Sequence, residues 1–156
     1  MTAQLSLEEF VFAIASVSSA TAAARTHGDL KTAAVLAEYY ALVAEAVGPS
    51  GGRIVKAMGD GVLIVFPLTR AREAVAVLQL LQTQATPLWA ELDARCRTQV
   101  RVGGGPLVSG AMGPPGDERF DVFGTALNDL FKAPAGDFVI TPELAERLAR
   151  PEPART

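Results

Sequence analysis

The sequence predicts an α+β domain in which a mostly antiparallel sheet carries helices packed on one face. Segments whose apolar residues alternate, as in strands, are interspersed with segments whose apolar residues recur every three or four positions, as in amphipathic helices. Some consecutive strands are connected by short turns, and others are connected by helices. The predicted order of elements along the chain is β-α-α-β-β-α-β-β-β-α-β-α. Because 156 residues, 49% of them hydrophobic, suffice for one packed domain, we assign residues 1–150 to it and 151–156 to a flexible C-terminal tail.

The first third of the chain predicts one strand and two helices. Glu9–Val17 is β-branched and aromatic, which favours a buried strand. A short helix to about Arg25 follows, and a long amphipathic helix extends from Asp29 to about Val47. The segment Gly48–Gly52, which holds three glycines and a proline, ends that helix.

The remainder predicts a hairpin followed by alternating helices and strands. Arg53–Met58 and Val62–Phe66 flank Gly59-Asp60-Gly61, and an Asp-Gly pair between apolar runs is typical of a hairpin turn. The later elements are a helix from Thr69 to about Gln84, a helical piece from Pro87, strands at Val100–Val102, Leu107–Ala111 and Phe120–Phe123, a helix at Ala126–Lys132, a strand at Phe138–Thr141 and a helix at Pro142–Ala149.

Composition excludes several classes of function. The net charge is −3 and the basic residues are scattered, which argues against a nucleic-acid partner. The longest apolar runs are far shorter than the ~20 residues of a membrane helix, and the first residues lack the basic start of a signal peptide. One cysteine and one histidine cannot form an internal disulfide or a zinc site. We therefore expect a cytoplasmic protein with no membrane partner.

Four segments carry a resemblance to a known family. In chain order they are Val11-Phe12-Ala13-Ile14-Ala15, Lys56-Ala57-Met58-Gly59-Asp60-Gly61, Leu107-Val108-Ser109-Gly110-Ala111-Met112-Gly113 and Phe120-Asp121-Val122-Phe123-Gly124-Thr125-Ala126-Leu127-Asn128. They resemble the Val-Phe-Ala-Asp-Ile, Lys-x-x-Gly-Asp-Gly, Val-Val-Ala-Gly-Asn-Val-Gly and Tyr-Asp-Val-Trp-Gly-Asp-Ala-Val-Asn motifs of class III adenylate and guanylate cyclases. Four matches in family order, spanning about residues 8–148, are fairly specific. The resemblance implies the ferredoxin-like (βαββαβ) class III nucleotide cyclase fold.

The resemblance also implies a head-to-tail dimer with active sites at the interface. One protomer supplies two aspartates to two divalent ions, and the other supplies a Lys and an Asp that read the base, with an Asn and an Arg that stabilise the transition state. In this sequence the second metal aspartate corresponds to Asp60, and the base-reading pair corresponds to Lys56 and Asp121. The catalytic Asn corresponds to Asn128, and Lys132 stands at the position of the Arg.

The sequence departs from the family at the position of the first metal aspartate. Ile14 stands there, and no acidic residue occurs between Phe10 and Gly28. Mg²⁺ and Mn²⁺ prefer carboxylate oxygens, and only Asp60 remains of the two metal aspartates. We therefore expect one such ion at most. Lys132 keeps the positive charge of the Arg but not its planar, two-point grip on phosphate. The chain is also shorter than the family around Gly103–Pro106 and after Lys132.

Two functions and several plainer interpretations stay open. The first function is a degenerate cyclase domain that forms a dimer and serves as a nucleotide-binding or regulatory module with little or no activity. The second is an adenylate cyclase, converting ATP to cyclic AMP and pyrophosphate, which works weakly alone or as the base-reading half of a heterodimer with an intact cyclase. A donor at Lys56 and an acceptor at Asp121 favour ATP over GTP.

The plainer interpretations explain the same residues without a ligand, as parts of a purely structural dimer module. Asp60 suits the turn of a hairpin, and Lys132 suits the negative end of a helix. Lys56, Asp121 and Asn128 equally suit solvated positions on strands and a helix.

Overall fold

The computed structural model describes residues 4–150. In this part of the chain, strands β1 to β6 span Ser6–Ser18, Arg53–Ala57, Gly61–Pro67, Arg97–Met112, Arg119–Phe123 and Phe138–Ile140. Helices α1 to α5 span Ala20–His27, Asp29–Val47, Ala71–Leu92, Thr125–Lys132 and Pro142–Ala149. The predicted tail, 151–156, lies outside the described residues. None of the helices between residues 4 and 150 has both the length and the apolar character needed to cross a bilayer.

The strands form one mixed sheet in the order β2-β3-β1-β4-β5, and β6 pairs with β4. Only the β4–β6 pairing is parallel, whereas the β1–β3, β1–β4, β2–β3 and β4–β5 pairings are antiparallel. The outer strands β2 and β5 approach each other, so the sheet is nearly closed. The predicted α+β fold with a mostly antiparallel sheet is confirmed.

Strand β4 is one continuous 16-residue strand, where the sequence predicted two strands around Gly103–Pro106. Its register with β1 runs unbroken, because glycines allow close packing here. A Cβ on Gly103 would lie 2.9 Å from the Phe12 ring, and one on Gly104 would lie 3.2 Å from Leu144. Helix α3 likewise continues through Pro87, because Ala85 and Trp89 on either side are buried in the core.

The side chains of β1 alternate between two cores on opposite faces of the sheet. Val11, Ala13 and Ala15 belong to the main core, which α1, α2, α3 and α5 cover. The other face carries what we call the second core, whose members are Phe12, Ile14, Leu63, Val65, Leu107, Val122, Leu127 and Leu130. Leu127 and Leu130 come from α4, so this helix alone departs from the predicted one-face arrangement. Its buried leucines cover an apolar face that the nearly closed sheet would otherwise leave exposed.

A polar cluster joins α1 to the loop after α3. The Asp93 carboxylate lies 3.1 Å from His27 Nε2 and accepts hydrogen bonds from Arg95 Nε at 2.9 Å and Arg95 Nη2 at 2.6 Å. Arg95 also donates to Thr26 Oγ1 at 3.0 Å. The hydrogen bonds from the Arg95 side chain are the largest cause of a pKa for Asp93 well below the ordinary range.

We predict that Asp93 makes the stability of the fold pH-dependent in acid. Because its pKa is lower in the folded chain than in the unfolded chain, its stabilisation is present at neutral pH and is lost as pH falls below about 4. Thermal unfolding measured between pH 2.5 and 7 should show that Asp93→Asn lowers the Tm at pH 7 and that the difference from wild type shrinks in acid. Asp117→Asn, in an exposed ion pair with Arg119 at 3.6 Å, is the control. A wild-type minus Asp93→Asn difference that stays constant with pH would contradict the prediction.

Candidate functional site

Asp60 lies at the tip of the hairpin between β2 and β3. The backbone N–H of Met58 donates to the Gly61 carbonyl at 2.7 Å and closes the turn. Gly59 has a φ of 68°, which a glycine adopts without strain. The Asp60 side chain is exposed. The local Gly-Asp-Gly sequence thus places one carboxylate in solvent at the end of the sheet.

The tip of this hairpin is fixed by contacts from two other elements. The N–H of Val17, on β1, donates to the Asp60 carbonyl at 2.8 Å. The hydroxyl of Tyr40, on α2, donates to the Gly59 carbonyl. Burial first, and then the nearby charge of Asp60, raise the pKa of Tyr40. The Asp60 carboxylate therefore extends from a well-anchored turn.

Ile14 lies on β1 beside this turn. A Cβ built on Gly61, the residue after Asp60, would be 3.8 Å from Ile14 Cγ2, so Ile14 lies next to the strand start that follows Asp60. Ile14 is only 2% exposed and belongs to the second core. Its neighbours in register are Leu63 on β3 and Arg101 on β4. It offers no oxygen to a cation.

A two-ion centre does not fit this set of residues. Within residues 4–150, no group of three or more His, Cys, Asp or Glu side chains is arranged to hold a metal ion. Two hard divalent ions side by side need several anionic oxygens, and Asp60 is the only carboxylate at the pair of positions. One carboxylate does not supply the oxygens that such a pair of ions needs.

Lys56 and Asp121 are brought together by the closure of the sheet. Lys56 Nζ lies 3.2 Å and 3.3 Å from the two oxygens of Asp121, although 65 residues separate them in the chain. Lys56 follows an irregularity in β2, and Asp121 Oδ1 also accepts from the Val122 N–H at 2.8 Å. The side chains are 47% and 32% exposed, so the pair is open to solvent.

A second contact joins the same two strands. The Arg53 guanidinium lies over the Phe120 ring, 3.6 Å from its centroid, which is a cation–π contact. Arg53 precedes Lys56 on β2, and Phe120 precedes Asp121 on β5. The two contacts together form a polar seam between the outer strands.

Helix α4 carries the last two predicted site residues. Asn128 and Lys132 are four positions apart, so they lie on the same side of the helix, and both are exposed. Neither side chain makes a hydrogen bond or an ion pair with another residue in the described part of the chain. The structure thus joins Lys56 to Asp121 and places Asp60 on the same hairpin as Lys56, but Asn128 and Lys132 form no hydrogen bond or ion pair with any of these three.

Two residues near the site were not recognised from the sequence. Arg101 donates from Nη1 to three carbonyl groups at the end of α4. The hydroxyl of Tyr40 contacts the hairpin turn, which the amphipathic pattern of its helix does not predict. A lone arginine between buried valines, at positions 100 and 102, is the one signal that could have indicated a specific role for Arg101.

Comparisons with known proteins agree on the fold. No protein-family model matches the chain, and no curated protein matches it. A solved structure of the guanylyl cyclase Cya2 is similar with a TM-score of 0.81 and 18% identity, over 96% of this chain and 82% of that one. A bacterial light-regulated adenylyl cyclase is similar with a TM-score of 0.80 and 15% identity, over 93% of this chain.

The chain spans about half of that light-regulated cyclase, 46% of its length. A third similar structure is a class III adenylyl cyclase-like ATP-binding protein from Pseudomonas aeruginosa, with a TM-score of 0.70 and 16% identity, over 91% of this chain and 35% of that one. The fold that the sequence motifs predicted is thereby confirmed. This chain has the fold of a class III nucleotide cyclase catalytic domain.

Proposed function

We propose that this chain is a dimeric, nucleotide-binding regulatory module with little or no cyclase activity of its own. The observation that carries the proposal is the contrast between the two sides of the site. On one side, a buried isoleucine stands beside the Asp60 turn, where the resemblance places a metal ligand. On the other, Lys56 and Asp121 are paired and open to solvent.

The loss of one carboxylate has a large cost for cyclisation. The reaction is an in-line attack of the ribose 3′-hydroxyl on the α-phosphorus, and two ions about 3.5–4 Å apart would activate and clamp the oxygens. With Ile14 in place of a carboxylate ligand, Asp60 and the nucleotide phosphates would hold only one Mg²⁺ or Mn²⁺ ion. Removing several kcal/mol of transition-state stabilisation lowers the rate by orders of magnitude.

The Lys56–Asp121 pair supports binding of an adenine nucleotide. A lysine ammonium donates and a carboxylate accepts, which matches N1 and the 6-amino group of adenine. An exposed ion pair contributes only about 0–1 kcal/mol to stability, so a base can replace the contact at little cost. One structurally similar protein, a class III adenylyl cyclase-like protein, is itself described as ATP-binding.

An exposed apolar row supports the dimer. Leu7 on β1, Val108 on β4 and Phe123 on β5 are direct neighbours across the sheet. Leu7 is 70% exposed and Phe123 is 61% exposed. Large apolar side chains grouped on a surface are typical of protein–protein contacts. A second copy of the chain would cover this row in a homodimer.

The runner-up function is an adenylate cyclase that depends on an intact partner. The observation that favours it is the solvent-open contact between Lys56 and Asp121, which the resemblance assigns to the base-reading half of a shared site and which is the better-kept half. An intact cyclase could then supply both metal aspartates to a heterodimer. Lys132 of this chain would replace the Arg imperfectly, because an ammonium holds phosphate at one point.

We predict that ATP with Mg²⁺ stabilises the protein against heat. Ligand at about 100 times its Kd adds about 2.7 kcal/mol, which for a chain of this size raises the Tm by about 5–10 °C. Lys56→Met and Asp121→Asn should each weaken ATP binding at least tenfold while changing the Tm of the free protein little, since the pair is exposed. Lys31→Met and Asp137→Asn, both at exposed positions, are the matched controls. No Tm shift at millimolar ATP would refute nucleotide binding.

We predict that the purified protein forms no cyclic AMP above background from ATP and Mn²⁺, because the second ion lacks a ligand. Brisk formation by the protein alone would contradict the regulatory function.

The runner-up is tested by adding the chain to an intact cyclase that co-purifies with it. A rise in activity over that partner alone, abolished by Asp121→Asn, would favour the heterodimer, and an unchanged rate would exclude it.

A further inference from the structure

The end of α4 is held by a side chain from the sheet. Arg101 lies on β4, and its Nη1 donates to the carbonyl groups of Leu130 at 3.2 Å, Phe131 at 3.0 Å and Ala133 at 3.0 Å. One nitrogen thus serves three acceptors around the C-terminus of the helix. Arg101 is half-buried, so these hydrogen bonds are partly shielded from water.

A helix as short as α4 depends on such a contact. It has eight residues, and helices of that length are marginal without tertiary support. The last carbonyl groups of any helix lack partners within it and carry partial negative charge. The Arg101 guanidinium provides both donors and an opposite charge at this point, while Leu127 and Leu130 anchor the inner face.

This contact changes the interpretation of Lys132. A lysine in the last turn would ordinarily interact with the negative end of the helix. Arg101 already fills that role, and the Lys132 ammonium has no hydrogen-bond or ion-pair partner within residues 4–150. Lys132 thus lies in the last turn of α4, but it is Arg101 that hydrogen-bonds to the carbonyl groups there. The ammonium of Lys132 is left available to an anion from outside the chain.

We propose that Arg101 is a positioning residue that fixes the last turn of α4 and thereby presents Lys132 to the phosphate groups of a bound nucleotide. The part concerning the nucleotide rests on the proposed function above. The part concerning α4 rests only on the contacts of Arg101. The two parts are therefore tested by different measurements on the same variants.

The first measurement is amide hydrogen exchange of the full chain. In Arg101→Met, the amides of residues 130–133 should exchange at least tenfold faster than in wild type, with α3 unchanged. Arg101→Lys should restore much of the protection, because one nitrogen makes all three bonds and lysine keeps a charged nitrogen. Arg97→Met, on the same strand and in an exposed contact with Asp137 at 3.7 Å, is the control. If Arg101→Met does not fold, Arg101→Gln replaces it with the same expectation. Exchange in α4 within twofold of wild type would overturn the proposal.

The second measurement is a double-mutant cycle on ATP affinity with Arg101→Met and Lys132→Met. If Arg101 acts through Lys132, each single variant should weaken ATP binding at least fivefold, and Arg101→Met should cost less than twofold once Lys132 is absent. Losses that simply multiply would show that Arg101 has only a general structural role. If wild type binds no ATP while Arg101→Met still exposes α4, the proposed function fails and the positioning of α4 by Arg101 stands.

Discussion

Strand β1 imposes the constraint on which the rest of the molecule depends, because its segment Val11–Ala15 is paired on both edges and buried on both faces. Its side chains alternate between the two faces: Val11 and Ala13 pack into the main core, and Phe12 and Ile14 pack into the second core. Position 14 is therefore a core position and, at the same time, the neighbour of the Asp60 turn. A carboxylate there would have to lose its water and find a cation in exchange. An isoleucine needs neither, and it joins the apolar contacts around it.

The isoleucine and the short helix belong together physically. Ile14 shares the second core with Leu127 and Leu130 of α4, a helix of only eight residues. The apolar contacts beneath this short helix stabilise it, and Arg101 hydrogen-bonds to the carbonyl groups at its C-terminus. Ile14 and the short helix are thus parts of one stable arrangement, in which the second core keeps α4 attached to the sheet.

The sequence pattern predicted those features of the structure that depend on residues close together in the chain. The alternation of β1 and the Gly-Asp-Gly turn depend on adjacent residues, and both are confirmed. The continuity of β4 was missed because three consecutive glycines suggest a loop, whereas here Gly103 makes room for the Phe12 ring. The position of α4 on the second face and the role of Arg101 depend on contacts about 30 residues apart, which no local pattern contains. The closeness of Lys56 and Asp121 was accessible only through the family resemblance.

The seam between β2 and β5 has a composition that stability alone does not explain. The Arg53–Phe120 contact already joins these strands, and the exposed Lys56–Asp121 pair adds about 0–1 kcal/mol at most. A donor and an acceptor held about 3 Å apart in solvent are, however, what a planar base with complementary edges requires. A base that replaced this pair would link nucleotide binding to the closure of the sheet. That link would act without a second metal ion, so under the proposed function nucleotide recognition would persist without catalysis.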